Sequence, residues 1–239
     1  MPAPEPPPLA WLAAANRATL TDRLLPATVH DVSNALQVMS GAAEMLGFAD
    51  SPATIGQRAE AITAQAMSAH ASLQALVAFT RTHPFADQPA TDVRAACERA
   101  LALRAFTVRK LAIAVAISGG EGLRVASLPL LMQVLLNLLI NVEQVSVGRE
   151  APTLTIAIAE AGDAVTIDVA DNGPGVALEL VPRLFAWPPA PAPVGALGIG
   201  LYVSRGLAVH AGGTLAHVPQ DGPGARFRLT LPRLVTPRC

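Results

Sequence analysis

The chain has 239 residues, 51% of them hydrophobic and 15% charged, with a formal net charge of −1. That length carries one or two ordinary domains with a full core, and the apolar content excludes a disordered polymer. A near-neutral balance without a long Lys/Arg run excludes a nucleic-acid footprint and a basic membrane-surface patch.

In chain order, residues 1–8 hold five prolines and no basic residue, which predicts a disordered or extended leader rather than a signal peptide. Residues 9–82 read as helical. Val29, Val32, Leu36, Met39, Ala43 and Leu46 repeat at alternating spacings of three and four, the a/d seam of a coiled coil. Residues 47–52 supply Gly, Asp, Ser and Pro, a stop and a restart. Ile62, Ala66, Ala69, Leu73 and Leu76 then form a second seam. Together they predict an antiparallel helical hairpin. One hairpin leaves part of both seams wet, so a homodimer, a four-helix bundle, is expected. Pro26 should kink the first helix or mark where its regular part begins.

Residues 83–90 read as a linker, after which the pattern changes. Helical patterns at 92–103, 130–145 and 201–210 alternate with strand patterns at 111–117, 154–159, 165–170, 214–218 and 225–231. Residues 91–239 are therefore expected to form a two-layer α/β sandwich with helices on one face. The fold class is α followed by α/β. Cys97 and Cys239 have neither metal spacing nor a disulfide partner pattern, which suits a reducing compartment. The apolar run at 128–140 is broken by Gln133 and Asn137 and falls short of the ~18 residues of a spanning helix. A cytoplasmic protein is expected.

Chemistry concentrates at a few places. Asn137 and Asn141 stand one helical turn apart on one face. An Asn carbonyl is a neutral hard oxygen, suited to Mg²⁺ that keeps phosphates and waters as its other ligands. Asp171-Asn172-Gly173-Pro174-Gly175 follows a strand, and Gly198-Ile199-Gly200-Leu201 enters a helix, whose free amides suit a phosphate. Upstream, His30, Asp31 and Asn34 fall at positions b, c and f, away from the seam, where a nucleophilic imidazole would be reachable. Each alone also fits a bland reading, as a solvated helix face or an ordinary Asn-Gly turn.

In this order and spacing, however, the pieces resemble the ATPase family of sensor histidine kinases, gyrase and Hsp90 over roughly residues 87–232. His30-Asp31-x-x-Asn34 and Val77-Ala-Phe79-Thr-Arg81 resemble the nitrogen-sensor-like histidine kinases. The resemblance implies that Asp171 accepts from the adenine amino group, with Gly173 and Gly175 shaping that turn. It implies that Asn141 holds Mg²⁺, Asn137 lies beside the phosphates, and Gly198, Gly200 and Leu201 form their cradle. It implies autophosphorylation of His30 from ATP, then transfer to an aspartate of a response-regulator receiver domain. Asp31 would take the ring proton, and Asn34 would hold a water for dephosphorylation. An upstream sensor protein, or the region 9–28, would supply the input.

The lid departs from the family. Leu184-Phe185-Ala186-Trp187 runs into Pro188 and Pro193 without Lys or Thr, and Ala196 stands in place of a glycine. That implies weaker ATP binding or slower turnover. It keeps open a non-enzymatic histidine phosphotransfer adaptor with a degenerate pocket, and a phosphatase-dominant enzyme.

Overall fold

The computed structural model describes residues 5–48, 51–83, 85, 90–187 and 198–234. Helix α1, Leu9–Leu46, and helix α2, Pro52–Arg81, pair along their length. The restart is local chemistry: the Ser51 hydroxyl accepts from the Thr54 amide and Pro52 takes the first turn, where its missing N–H costs nothing. Helix α1 runs through Pro26 rather than starting there, which leaves a kink as the remaining one of the two expectations for that residue. Pro26 lies on the exposed side, where water can solvate the carbonyl it leaves unbonded, while Leu24, Ala27 and Thr28 are buried opposite.

Each seam divides in two. Val32, Met39, Leu46, Ile62, Ala69 and Leu76 are sheltered, whereas Leu36 is 54% and Leu73 45% exposed, with Val29 and Ala66 exposed beside them. One hairpin thus covers every second rung.

The C-terminal layers are a five-stranded mixed sheet and three helices. The strands are β2 (Ala114–Gly119), β4 (Thr153–Ala161), β5 (Ala164–Asp171), β6 (Thr214–Val218) and β7 (Arg226–Pro232), in the order β2-β4-β5-β7-β6. Only β2 and β4 are parallel among these neighbours. Helices α3 (Val93–Lys110), α4 (Leu128–Ser146) and α5 (Gly200–His210) pack on this sheet. Inward positions of β5, Val165, Ile167 and Val169, are buried and alternate with half-exposed ones, the period of a sheet with one covered face. Two short strands escaped the sequence reading: β1 (Thr91–Asp92) pairs with β3 (Arg124–Val125), too short to show a period. The second domain's helices also begin and end differently from expectation, α3 running on to Lys110.

Helix α4 is the core of this domain. Its 19 residues are, by length and composition, enough to cross a membrane, more than the broken run in the sequence suggested, yet most of it is buried inside the fold. Leu131, Val134, Leu135 and Leu136 are fully buried, and so is Gln133. Helix α3 supplies Cys97, whose thiol is pushed up to about 12 chiefly by burial, so it packs as a small apolar group.

Candidate nucleotide and phosphoacceptor site

The end of β5 carries Asp171. Its Oδ1 accepts from the Gly173 amide at 2.7 Å and from the Ala225 amide at 3.3 Å. Both bonds converge on one oxygen, and a carboxylate offers about four lone-pair sites, so the second oxygen can still accept. Asn172 is structural: its Oδ1 accepts from the Thr153 amide and its Nδ2 donates to the Ala151 carbonyl, pinning β5's exit to β4's entry. Gly175 has φ +77°, and a β-carbon there would sit 3.0 Å from the Gly224 carbonyl oxygen. Only glycine suits that turn. Gln220, which the sequence reading missed, donates to the Asp171 and Pro223 carbonyls and closes the same corner.

Asn141 is half-buried on α4. One turn earlier, Asn137 faces the start of α5, donating to Ser204 Oγ at 2.9 Å and towards the Gly200 carbonyl at 3.3 Å. It does not stand open beside a phosphate. Its Oδ1 accepts from Asn16 of α1 at 3.0 Å, and its Nδ2 is 2.9 Å from Asn16 Oδ1. Asn16, Gln133 and Asn137 are all buried. Gly198 has φ +69° and leads into α5, where Leu201 is half-buried. The lid residues 188–197 lie outside the described residues, so the expectations for Pro188, Pro193 and Ala196 fall there; Trp187 rests against Tyr202 at 5.4 Å.

His30 and Asn34 are exposed on α1. As the amide is oriented, Asn34 Nδ2 donates to His30 Nδ1 at 3.1 Å, which places the neutral ring's proton on Nε2. The ring also stacks on Phe106 of α3, centroids 3.9 Å apart. Asp31 pairs with Arg109 of α3 at 2.7 Å. His30 and Asp31 therefore meet α3, while Asn141, Asp171 and Gly200 stand on α4, β5 and α5. A cleft of about 800 Å³ between the hairpin and α3 is lined by Asp31, Asn34 and Arg109 but by neither Asp171 nor Asn141. It is separate from the corner around Asp171.

A buried ion pair underlies both parts. Arg104 of α3 donates to both carboxylate oxygens of Glu143 on α4, at 2.7 and 2.5 Å, and to the Arg23 carbonyl of α1 at 3.0 Å. Burial lowers the Arg17 guanidinium to about 10, so it stays charged at neutrality. It donates to the Phe79 carbonyl and lies 4.1 Å over that ring, tying α1 to the end of α2.

Known proteins bear on this geometry. A family model for the histidine kinase-, DNA gyrase B- and HSP90-like ATPase matches residues 127–235. The C4-dicarboxylate transport sensor protein DctS of Rhodobacter capsulatus is 40% identical over 105 residues, 43% of this chain and 16% of that protein. DctB of Rhizobium meliloti (strain 1021), a sensor protein also named for C4-dicarboxylate transport, is 29% identical over 233 residues, 92% of this chain and 36% of that one. The chain thus spans about a third or less of these relatives' length. Among solved structures, the catalytic domain of histidine kinase ThkA superposes with TM-score 0.55 at 21% identity, covering 62% of this chain and 97% of that one. ThkA in complex with the response regulator TrrA gives 0.54 at 19%, covering 92% and 64%. At these identities the structures speak for the fold.

Proposed function

We propose, because a family model for the histidine kinase-, gyrase B- and HSP90-like ATPase matches residues 127–235 and the chain is similar to sensor proteins and shares the fold of a histidine kinase catalytic domain, that it is a kinase core that phosphorylates His30 from Mg-ATP. The phosphoryl group then passes to an aspartate of a response-regulator receiver. The observation that carries this is the Asp171 carboxylate, fixed by two backbone amides at the mouth of a family ATPase domain, in the same chain as an exposed His-Asp-x-x-Asn helix turn.

The chemistry is phosphoryl transfer, so it rests on positioning and charge neutralisation. A His30 ring nitrogen attacks the γ-phosphorus, the bond to the β-bridging oxygen breaks and ADP leaves. Asp31 takes up the ring proton once Arg109 releases it. That exposed pair is worth about 0–1 kcal/mol, so it opens easily. Mg²⁺ would neutralise the phosphates, held by the Asn141 carbonyl and the nucleotide itself. Asn141 offers a hard carbonyl oxygen, half-buried on α4, of the kind Mg²⁺ takes beside phosphates and waters. In this reading the chain works in the cytoplasm, a reducing compartment that suits the free thiol of Cys97.

Asp171→Asn should weaken nucleotide binding by roughly 1.5–3 kcal/mol, the scale of a hydrogen bond to a charged group. Calorimetric titration with ADP and Mg²⁺ checks this, and unchanged affinity would move the adenine site elsewhere. The covered Asn137 favours one further reading, an adaptor that keeps the phosphohistidine helix without ATP turnover; absence of any nucleotide binding would select it.

The core is a homodimer in this reading. The wet rungs Leu36 and Leu73 need a second hairpin, each large side chain gaining ~1.5–3 kcal/mol on burial. Leu36→Asp with Leu73→Asp should dissociate or unfold it, because a buried unpaired carboxylate is costly. Light scattering decides: a monomeric wild type at micromolar concentration contradicts the dimer.

A further inference from the structure

The first stretch of α1 runs beyond the hairpin's seams. Leu12, Ala13, Asn16, Arg17, Leu20 and Leu24 are buried at helical spacing, and this stripe crosses the C-terminal helices in turn. Leu9 lies so close to Gly206 of α5 that a β-carbon there would meet its Cδ1 at 2.6 Å. Asn16 engages α4, and the Arg23 carbonyl receives Arg104 of α3.

The centre of the contact is polar and buried. Asn16 and Asn137 exchange amide bonds, and Gln133 donates to Asn16 Oδ1 at 2.9 Å and to the Ala13 carbonyl at 2.8 Å. Asn137's remaining donor capacity goes to Ser204 and Gly200. Its amide is therefore fully engaged, at the place where α5 begins. A buried amide layer is costly to leave half-made, so the segment is either docked with its bonds satisfied or lifted with water supplying them.

We propose that residues 9–24 are an inhibitory strap that competes with nucleotide: docked, they occupy Asn137, whose amide also bridges to the first turns of α5, and nucleotide binds as they lift. This rests on the proposed function, with Asn137 beside the phosphates and Gly198 and Gly200 in their cradle, as the resemblance to the ATPase family implies. The strap is continuous with His30 and Asp31, which in the docked state stack on Phe106 and pair with Arg109. One movement thus opens the pocket and frees the phosphoacceptor. Linkage makes the coupling reciprocal: whatever loosens the strap tightens nucleotide binding, and nucleotide loosens the strap.

The test uses the full chain, ADP and Mg²⁺. Asn16→Ala should tighten ADP about tenfold, the scale of one or two net hydrogen bonds. Leu12→Ser, which weakens the strap without touching its amide layer, should shift affinity the same way. Hydrogen exchange over residues 9–24 should quicken in both variants, and in the wild type when ADP is added. A strap released by exchange with ADP affinity unchanged overturns the proposal, as does slower exchange on adding ADP or no ADP binding by any variant. Tighter ADP binding with no phosphate reaching His30 would support the strap and discard the kinase reading.

Discussion

Glu143→Ala lowers the unfolding free energy by about 3–5 kcal/mol, the cost of stranding one partner of a buried ion pair. Arg104 and Glu143 retain 6% and 8% of their side-chain exposure, so neither charge has water to fall back on. Arg104 also donates to Thr107 Oγ1 and to the Arg23 carbonyl, which locks the guanidinium in place and prevents its swinging out to solvent. A domain's whole stability is about 5–15 kcal/mol, so the loss is a large share of it. Urea unfolding followed by circular dichroism measures it. Exchanging both residues for apolar ones of similar volume, Arg104→Met with Glu143→Leu, should recover much of the loss. A single-variant change below about 1 kcal/mol, the typical mutational cost, would mean that the pair is solvated in solution.

His30→Gln abolishes phosphate incorporation without weakening nucleotide binding or changing the oligomeric state. Glutamine keeps a polar group on the exposed helix face but has no nucleophilic nitrogen, since its amide lone pair is delocalised. The His30 ring touches Phe106 and Asn34, neither of them part of the pocket around Asp171, which is why binding should survive. Incorporation from γ-labelled ATP reads the first effect and calorimetry the second. Label persisting at His70 or His83 would assign the phosphoacceptor to another helix.

Much of this was legible because the signals were local or periodic. Ser51-Pro52 announces a helix start, the alternation in 165–170 announces a strand with one covered face, and Asp171-Asn172-Gly173 announces a turn with a carboxylate at its head. The seam spacing is visible too, though only the folded chain separates its rungs into sheltered Val32 and Met39 and wet Leu36. What escaped was long-range pairing. Asn16 is an unremarkable polar residue until α4 brings Asn137 to it, 121 residues along the chain. A signal was there: Asn16 and Arg17 interrupt an otherwise apolar stripe running from Leu12 to Leu24, and Glu143 is a lone charge in an apolar helix. Polar residues set into apolar faces need partners, and sequence alone does not name them. Pro26 shows a further limit, since a helix packed on one side can run through a proline on the other, and local sequence does not tell a helix start from a helix interior there. The short pair β1–β3 has too few residues to carry a period.

Mapping phosphate on the wild-type chain after incubation with γ-labelled ATP and Mg²⁺ tests the central claim most directly. Acid and alkali treatment separate phosphohistidine from phosphoesters, and peptide mass spectrometry locates the modified residue. The account predicts acid-labile, alkali-stable label on the peptide containing His30. A chain that binds ADP yet acquires no label, or acquires only acid-stable label elsewhere, would contradict it.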